Sequence, residues 1–149
     1  MIQSPVGPLA LVGTEDALTG VEFGGGQDGA DAPSPVLERA ARELAEYFAG
    51  ERREFTVPLA PEGTAFQKSV WEELRKIPYG ETASYGDVAA RLGKPGAAVA
   101  VGQANSRNPI PIFIPCHRVI GANGRMVGYT GGMHIKKALL AVEGIAGRE

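Results

Sequence analysis

The chain has one cysteine, Cys116, and the next residue, His117, is one of only two histidines. A thiol is a weak nucleophile until it loses its proton, and a neighbouring base or cation makes the thiolate accessible near neutral pH. The pair lies in Ile114-Pro115-Cys116-His117-Arg118-Val119, where proline and apolar neighbours predict a rigid, partly buried setting. Adjacent side chains need not point the same way, however, and a lone cysteine can equally be a small buried hydrophobe. Taken alone, the dipeptide leaves both readings open.

The rest of the composition narrows the chemistry. A single cysteine excludes an internal disulfide, and one thiol with two histidines argues against a dedicated zinc site. A thiol that must stay reduced suits a reducing, cytoplasmic compartment. No apolar run approaches the roughly 20 residues needed to span a bilayer. Met1-Ile2-Gln3-Ser4 lacks the basic start of a secretory signal. Net charge is −2, but it is unevenly spread: residues 1–84 carry 7 Lys+Arg and 14 Asp+Glu, and residues 85–149 carry 8 and 3. A cationic C-terminal part fits a phosphate-contacting surface, and fits an ordinary imbalance between helices as well.

At 149 residues the chain makes one ordinary domain or two small ones. Residues 9–12 and 18–23 read as short strands about a Gly13-Thr14-Glu15-Asp16 turn, and the Gly-, Asp- and Pro-rich residues 24–33 as a connection. A helix starts with Ser34 as N-cap and Pro35 in its first turn. Leu37, Ala41, Leu44 and Phe48 form its stripe, and Gly50 ends it. Phe55-Thr56-Val57-Pro58-Leu59 alternates like an edge strand. Pro61-Glu62-Gly63 marks a boundary, dividing a small α/β domain over 1–60 from a second domain over 61–149.

In that second part, Thr64 and Gln67 make a capping box for a helix whose apolar face holds Phe66, Val70 and Leu74, with Trp71 beside them as a core anchor. Ser84 and Asp87 suggest a second capping box, and Gly93-Lys94-Pro95-Gly96 a tight break. Residues 97–104 then form another short helix, so the pair matches a helix-turn-helix. Its second helix offers small residues instead of long polar ones. That suits close backbone approach to a minor groove, and suits tight packing in a core.

Several ordered stretches together resemble the O6-alkylguanine-DNA alkyltransferase family. Ile114–Val119 is similar to the family's active-site signature, and Pro78-Tyr79-Gly80-Glu81-Thr82-Ala83-Ser84-Tyr85-Gly86 to the segment entering its DNA-binding helices. Asn108-Pro109-Ile110-Pro111 resembles its hinge, and Gly128-Tyr129-Thr130-Gly131-Gly132 its guanine-pocket loop. Glu143 lies where the family keeps a histidine-orienting carboxylate. The likeness covers residues 64–145, and Ser4-Pro5-Val6-Gly7-Pro8-Leu9 is similar to the start of the family's N-terminal domain.

The resemblance implies an N-terminal α/β domain with a ribonuclease-H-like sheet, then a mostly α domain with a winged-helix-like helix-turn-helix. It implies a monomer that binds double-stranded DNA through the minor groove and flips the damaged base out of the stack. No cofactor, metal or membrane is implied. Some relatives hold a structural zinc near the N-terminus, and this sequence has no ligand cluster there. By residue match, Cys116 attacks the alkyl carbon of O6-alkylguanine, with O4-alkylthymine a second candidate. His117 takes the thiol proton through water, Glu143 orients His117, and Asn108 ties the recognition helices to the site. The Tyr85 hydroxyl serves the guanine N3 and touches DNA; its alternative is an aromatic cover on the core. Tyr129 lines the pocket, and backbone at Val119 and Thr130 reads the base edge. Ala98, Val99, Ala100, Gly102 and Arg107 meet the DNA, although Arg107 also fits a solvated surface role.

One position departs from the pattern. Val99 stands where the family places an arginine that fills the space left by the flipped base. Valine cannot hydrogen-bond the orphaned cytosine, yet minor-groove proteins also insert apolar wedges. Two further readings remain from other classes. One is a damage-recognition module with little or no transfer, against which Cys116 argues. The other is a thiol hydrolase with a Cys-His-Glu triad, which needs an oxyanion hole.

Overall fold

The computed structural model describes residues 2–24, 34–121 and 132–145, which divide into a unit up to Glu62 and a unit from Gly63. Tyr129 and Thr130 lie outside the described residues, as does most of the 24–33 connection.

In the first unit, β1 (Leu9–Gly13) and β2 (Leu18–Phe23) pair antiparallel, from Leu9 opposite Phe23 to Gly13 opposite Leu18, with an irregularity between Val12 and Gly13. The Thr14 hydroxyl accepts from the Asp16 and Ala17 amides and so closes the turn. A Cβ on Gly13 would sit 2.6 Å from the Ala17 carbonyl oxygen, so this corner admits only glycine. Helix α1 (Pro35–Phe48) begins as its sequence predicts: the Ser34 hydroxyl accepts from the Leu37 amide, and proline occupies the first turn. Leu37, Ala40, Leu44 and Tyr47 of α1 are buried, as are Leu9, Leu11, Leu18 and Val21 of the hairpin.

The expected strand at 55–59 does not form. Only Leu59 makes a bridge, to Leu18, with the Leu18 amide donating to the Pro58 carbonyl and the Ala60 amide to the Leu18 carbonyl. The reason is a buried carboxylate. Glu43 of α1 accepts from the Thr56 and Val57 amides at 3.0 and 3.1 Å and from the Thr56 hydroxyl at 2.7 Å. Those amides are the donors a ladder would have used. Arg39 also donates to Glu43 at 3.3 Å.

The second unit opens on α2 (Ala65–Leu74), whose Thr64/Gln67 capping box is fully formed. Trp71 is buried, and its indole N–H donates to the Ala104 carbonyl at 2.9 Å. β3 (Ala83–Ser84) leads into α3 (Tyr85–Arg91) through a second complete capping box, Ser84 with Asp87. Gly93, with φ 75°, turns the chain toward α4 (Ala98–Ser106). This helix begins one residue later and ends two residues beyond the expected 97–104. The Ser106 hydroxyl bonds back to the Gln103 carbonyl and the Arg107 amide to the Ala104 carbonyl, which closes the extra turn. α2, α3 and α4 pack on one another, completing the helix-turn-helix. A 3₁₀ turn (Cys116–Arg118), β4 (Val119–Ile120) and α5 (Met133–Val142) follow, with β3 and β4 parallel.

Glu43 yields the first prediction. Burial alone would raise its carboxyl, but the Thr56 and Val57 hydrogen bonds and the Arg52 charge outweigh that and hold it below the ordinary value. A depressed folded-state pKa contributes stability above the unfolded value, and that stability is lost as pH falls through the folded one. Glu43→Ala leaves buried donors unpaired and is expected to cost about 2–4 kcal/mol at pH 7. The wild-type advantage should shrink below about pH 4. Denaturant unfolding of both proteins at pH 7 and pH 3.5 measures it, and an unchanged difference between the two pH values would refute the electrostatic account.

Candidate active site

The backbone that carries the thiol is braced before it arrives. Asn108, just beyond α4, donates its side-chain amide to the Ile114 carbonyl and accepts from the Ile110 amide, both at 2.9 Å. Between these anchors Ile112 has φ 76°, a costly conformation for a β-branched residue. Its side chain is buried, so packing and the Asn108 clamp together hold the turn. The Cys116 amide then donates to the Ile114 carbonyl at 2.7 Å across Pro115, whose φ −79° and ψ 63° are those of an inverse γ-turn. The three prolines at 109, 111 and 115 restrict the remaining freedom.

Cys116 is 4% exposed, and His117 beside it is fully buried. His117 Nε2 lies 2.7 Å from Glu143 Oε2. Burial lowers the imidazole's pKa more than Glu143 raises it, and the nearby Arg118 and Lys136 charges add to the lowering. A neutral ring with Nε2–H donating to the carboxylate leaves Nδ1 as an acceptor. Nδ1 is buried and has no hydrogen-bond partner among the described residues. The arrangement therefore presents a neutral base nitrogen on the residue next to the thiol.

Glu143 has a second duty that sequence reading missed. Arg118 Nε donates to its Oε1 at 2.8 Å and Arg118 Nη2 to its Oε2 at 3.0 Å. The Gly80 amide adds a bond at 3.2 Å. Arg118 Nη1 also donates to the Ile77 carbonyl at 2.7 Å, and the Tyr79 hydroxyl donates to the Val142 carbonyl. The carboxylate thus fastens the cysteine turn, the 77–80 segment and the end of α5 in one place. Arg118 sits beside the motif cysteine and its partner lies 25 residues on, so only the fold reveals the pair.

Lys136 was also missed. It is fully buried on α5, and its ammonium donates to the Val119 carbonyl at 2.6 Å. Burial lowers its pKa to about 8, against an attraction to Cys116 that raises it. Attraction is mutual, so the lysine favours the thiolate. The Val119 carbonyl, expected to read a base, is already engaged on one side by this lysine.

Tyr85 opens α3 and is half-buried; burial first, then the Cys116 charge, raises its pKa and keeps the hydroxyl protonated. Its ring lies against Gly102, where an added Cβ would come within 3.7 Å. That is an ordinary van der Waals distance, so the Tyr85 ring packs against α4 at Gly102 without requiring glycine there. Ala98 and Ala100 are half-buried, Arg107 is exposed, and Val99 is 77% exposed. Among the described residues Val99 is the one large apolar side chain left in solvent.

Two family models match the chain. Residues 1–61 match "6-O-methylguanine DNA methyltransferase, ribonuclease-like domain", and residues 65–145 match "6-O-methylguanine DNA methyltransferase, DNA binding domain". A methylated-DNA–protein-cysteine methyltransferase of Methanosarcina acetivorans is 51% identical over 97% of this chain and 96% of its own length. The constitutive methylated-DNA–protein-cysteine methyltransferase of Bacillus subtilis is 46% identical over 99% and 95%. Among solved structures, Mycobacterium tuberculosis OGT in complex with DNA superposes with a TM-score of 0.87 at 50% identity, over 95% of this chain and 89% of that one.

Lys136→Met separates the lysine's cost from its use. Its folded pKa lies below the ordinary lysine value, so wild-type stability should rise as pH climbs from about 8 toward 10.5, and the variant's should not. At pH 7 the variant is expected to be as stable or more so. Its thiol should react with iodoacetamide more slowly near neutrality, with the rising limb of the pH–rate profile moved upward. A superimposable profile would show that the lysine does not act on Cys116.

Proposed function

The chain belongs to the O6-alkylguanine-DNA alkyltransferase family, and we propose that Cys116 is the residue that takes the alkyl group from O6-alkylguanine in duplex DNA. The activity is that of a methylated-DNA–protein-cysteine methyltransferase, a DNA-repair protein that alkylates its own cysteine. The observation that carries the residue assignment is the pairing of a nearly buried thiol with a neutral imidazole anchored at 2.7 Å on a carboxylate.

In this reading the thiol proton passes to His117 Nδ1, and Glu143 with Arg118 keeps the ring oriented. The sulfur then attacks the alkyl carbon, an S–C bond forms, and the C–O6 bond breaks. The electron pair leaves with the guanine, which departs more easily when Tyr85, held in its protonated form, donates toward the ring. The product is a thioether. The chain has no second thiol to attack it, so each molecule acts once. Lys136 stabilises the thiolate before attack.

DNA approaches α4 in this reading. The helix presents Val99 outward, flanked by half-buried Ala98 and Ala100, with exposed Arg107 just past its end to meet phosphate. Small residues permit close approach in a minor groove, and a bare apolar side chain can enter the stack when the target base rotates out. Asn108 ties the end of α4 to the backbone entering the cysteine turn. Tyr129 and Thr130 line the base pocket by resemblance alone. We assign the protein to the cytoplasm as a monomer, where a reduced thiol persists. No helix among the described residues is long and apolar enough to cross a membrane. A damage-recognition module without transfer is not favoured, because the relatives that match nearly the whole chain are methylated-DNA–protein-cysteine methyltransferases.

Incubation with O6-benzylguanine followed by intact-mass measurement tests the assignment. One stable benzyl adduct is expected, mapped to Cys116 and abolished in Cys116→Ala; an adduct that persists in that variant would overturn it. A second comparison tests Val99. Val99→Arg should speed repair of O6-methylguanine in a duplex while leaving the reaction with O6-benzylguanine nearly unchanged. Measured at saturating protein and two salt concentrations, a true extrusion effect persists, and a phosphate-attraction effect fades with salt. An unaltered saturated duplex rate would remove Val99 from the flipping position.

A further inference from the structure

The last turn of α4 puts a second asparagine against the nucleophile. Asn105 is 2% exposed and lies on the face of α4 that also buries Val101 and Ala104. Asparagine is a poor helix former, and a buried carboxamide is costly unless both of its ends are bonded. Here only one end is. Nδ2 donates to the Cys116 carbonyl at 3.4 Å, and the buried Oδ1 has no hydrogen-bond partner among the described residues. Asn108, three residues on, shows the contrast: both ends of its amide are satisfied at 2.9 Å. Asn108 is a finished structural clamp, and Asn105 is not.

The unsatisfied atom has one counterpart. Among the described residues only two buried side-chain polar atoms lack partners, Asn105 Oδ1 and His117 Nδ1. One belongs to the side chain that touches the Cys116 carbonyl, and the other to the residue after Cys116. With Nε2–H given to Glu143, both are acceptors. Both side chains are tied to the Cys116–His117 peptide, Asn105 through its bond to that peptide's carbonyl and His117 as its second residue. An apolar side chain of the same size would fill this part of the core at lower cost.

We propose that Asn105 is a positioning residue for the transfer step. From α4 its Nδ2 holds the Cys116 carbonyl, and so fixes the peptide that joins the thiol-bearing residue to its base, His117. Asn105 itself gains and loses no proton. This deepens the proposed function and rests on Cys116 being the acceptor.

The test uses O6-benzylguanine, so that DNA binding plays no part, with Asn105→Leu and Asn105→Asp in the full chain. Leucine keeps the volume and removes both polar ends. The Leu variant should alkylate about tenfold more slowly at neutral pH, with a melting temperature equal to or above wild type. Aspartate keeps the shape, removes the donor and places a negative charge beside the Cys116 carbonyl, so its pH–rate profile should shift upward. A filler role would move stability and leave rate and profile alone. A Leu variant that reacts at the wild-type rate overturns the proposal; if that variant fails to fold, an unshifted Asp profile overturns it. Wild-type protein that gives no Cys116 adduct would refute the functional reading together with this one, whereas a normal wild-type adduct with unaffected variants refutes this one alone.

Discussion

The Glu143 carboxylate is the interaction on which the site depends. It is buried, and it is shared between a guanidinium and an imidazole. Two unit charges about 4 Å apart interact by roughly 4 kcal/mol at an effective dielectric of 20, so the sharing adds to burial in setting the ring's protonation state. If Glu143 faced His117 alone, its charge would favour imidazolium. Arg118 already balances that charge and itself opposes a proton on the ring, so burial prevails and His117 stays neutral. A neutral histidine can accept the thiol proton, and a pre-charged one cannot. The charge balance is thus local: one carboxylate, one permanent cation, and a base left uncharged until it is used.

The same carboxylate is also mechanical. Through Arg118 and Gly80 it holds the cysteine turn against the 77–80 segment and the end of α5. From the other side, Asn108 braces the approach from α4 and keeps Ile112 in a left-handed conformation. Cys116 therefore sits between two anchored stretches of backbone. This is the rigidity a nucleophile needs, because small displacements from the attack geometry cost rate steeply.

What was legible in the sequence was mostly local. Ser34, the Thr64/Gln67 pair and the Ser84/Asp87 pair start their helices as read, because a cap is written within four residues. His117 and Glu143, 26 residues apart, meet at 2.7 Å, with Cys116 the residue before His117. The strand at 55–59 failed for a long-range reason: Glu43, more than ten residues earlier, takes its amides. Arg118 and Lys136 escaped notice because charged side chains are seldom buried, and sequence alone gives no cause to bury them. Asn105 was invisible for a similar reason, since an asparagine near a helix end reads as a surface residue.

The two buried glutamates show how structural and chemical burial differ. Glu43 has its hydrogen bonds filled by Thr56, Val57 and Arg39, and nothing near it is strained or unpaired. Around Glu143 the same economy stops at the edge of the thiol. There the fold accepts a buried lysine with a lowered pKa, a β-branched residue at positive φ, and two polar atoms without partners. Each costs stability, and a core built only for packing would exclude all of them. Local rules broken together at one place, while kept elsewhere, mark where the fold serves chemistry. Among the described residues every such breach lies between Asn105 and Lys136, and the cysteine is inside that span.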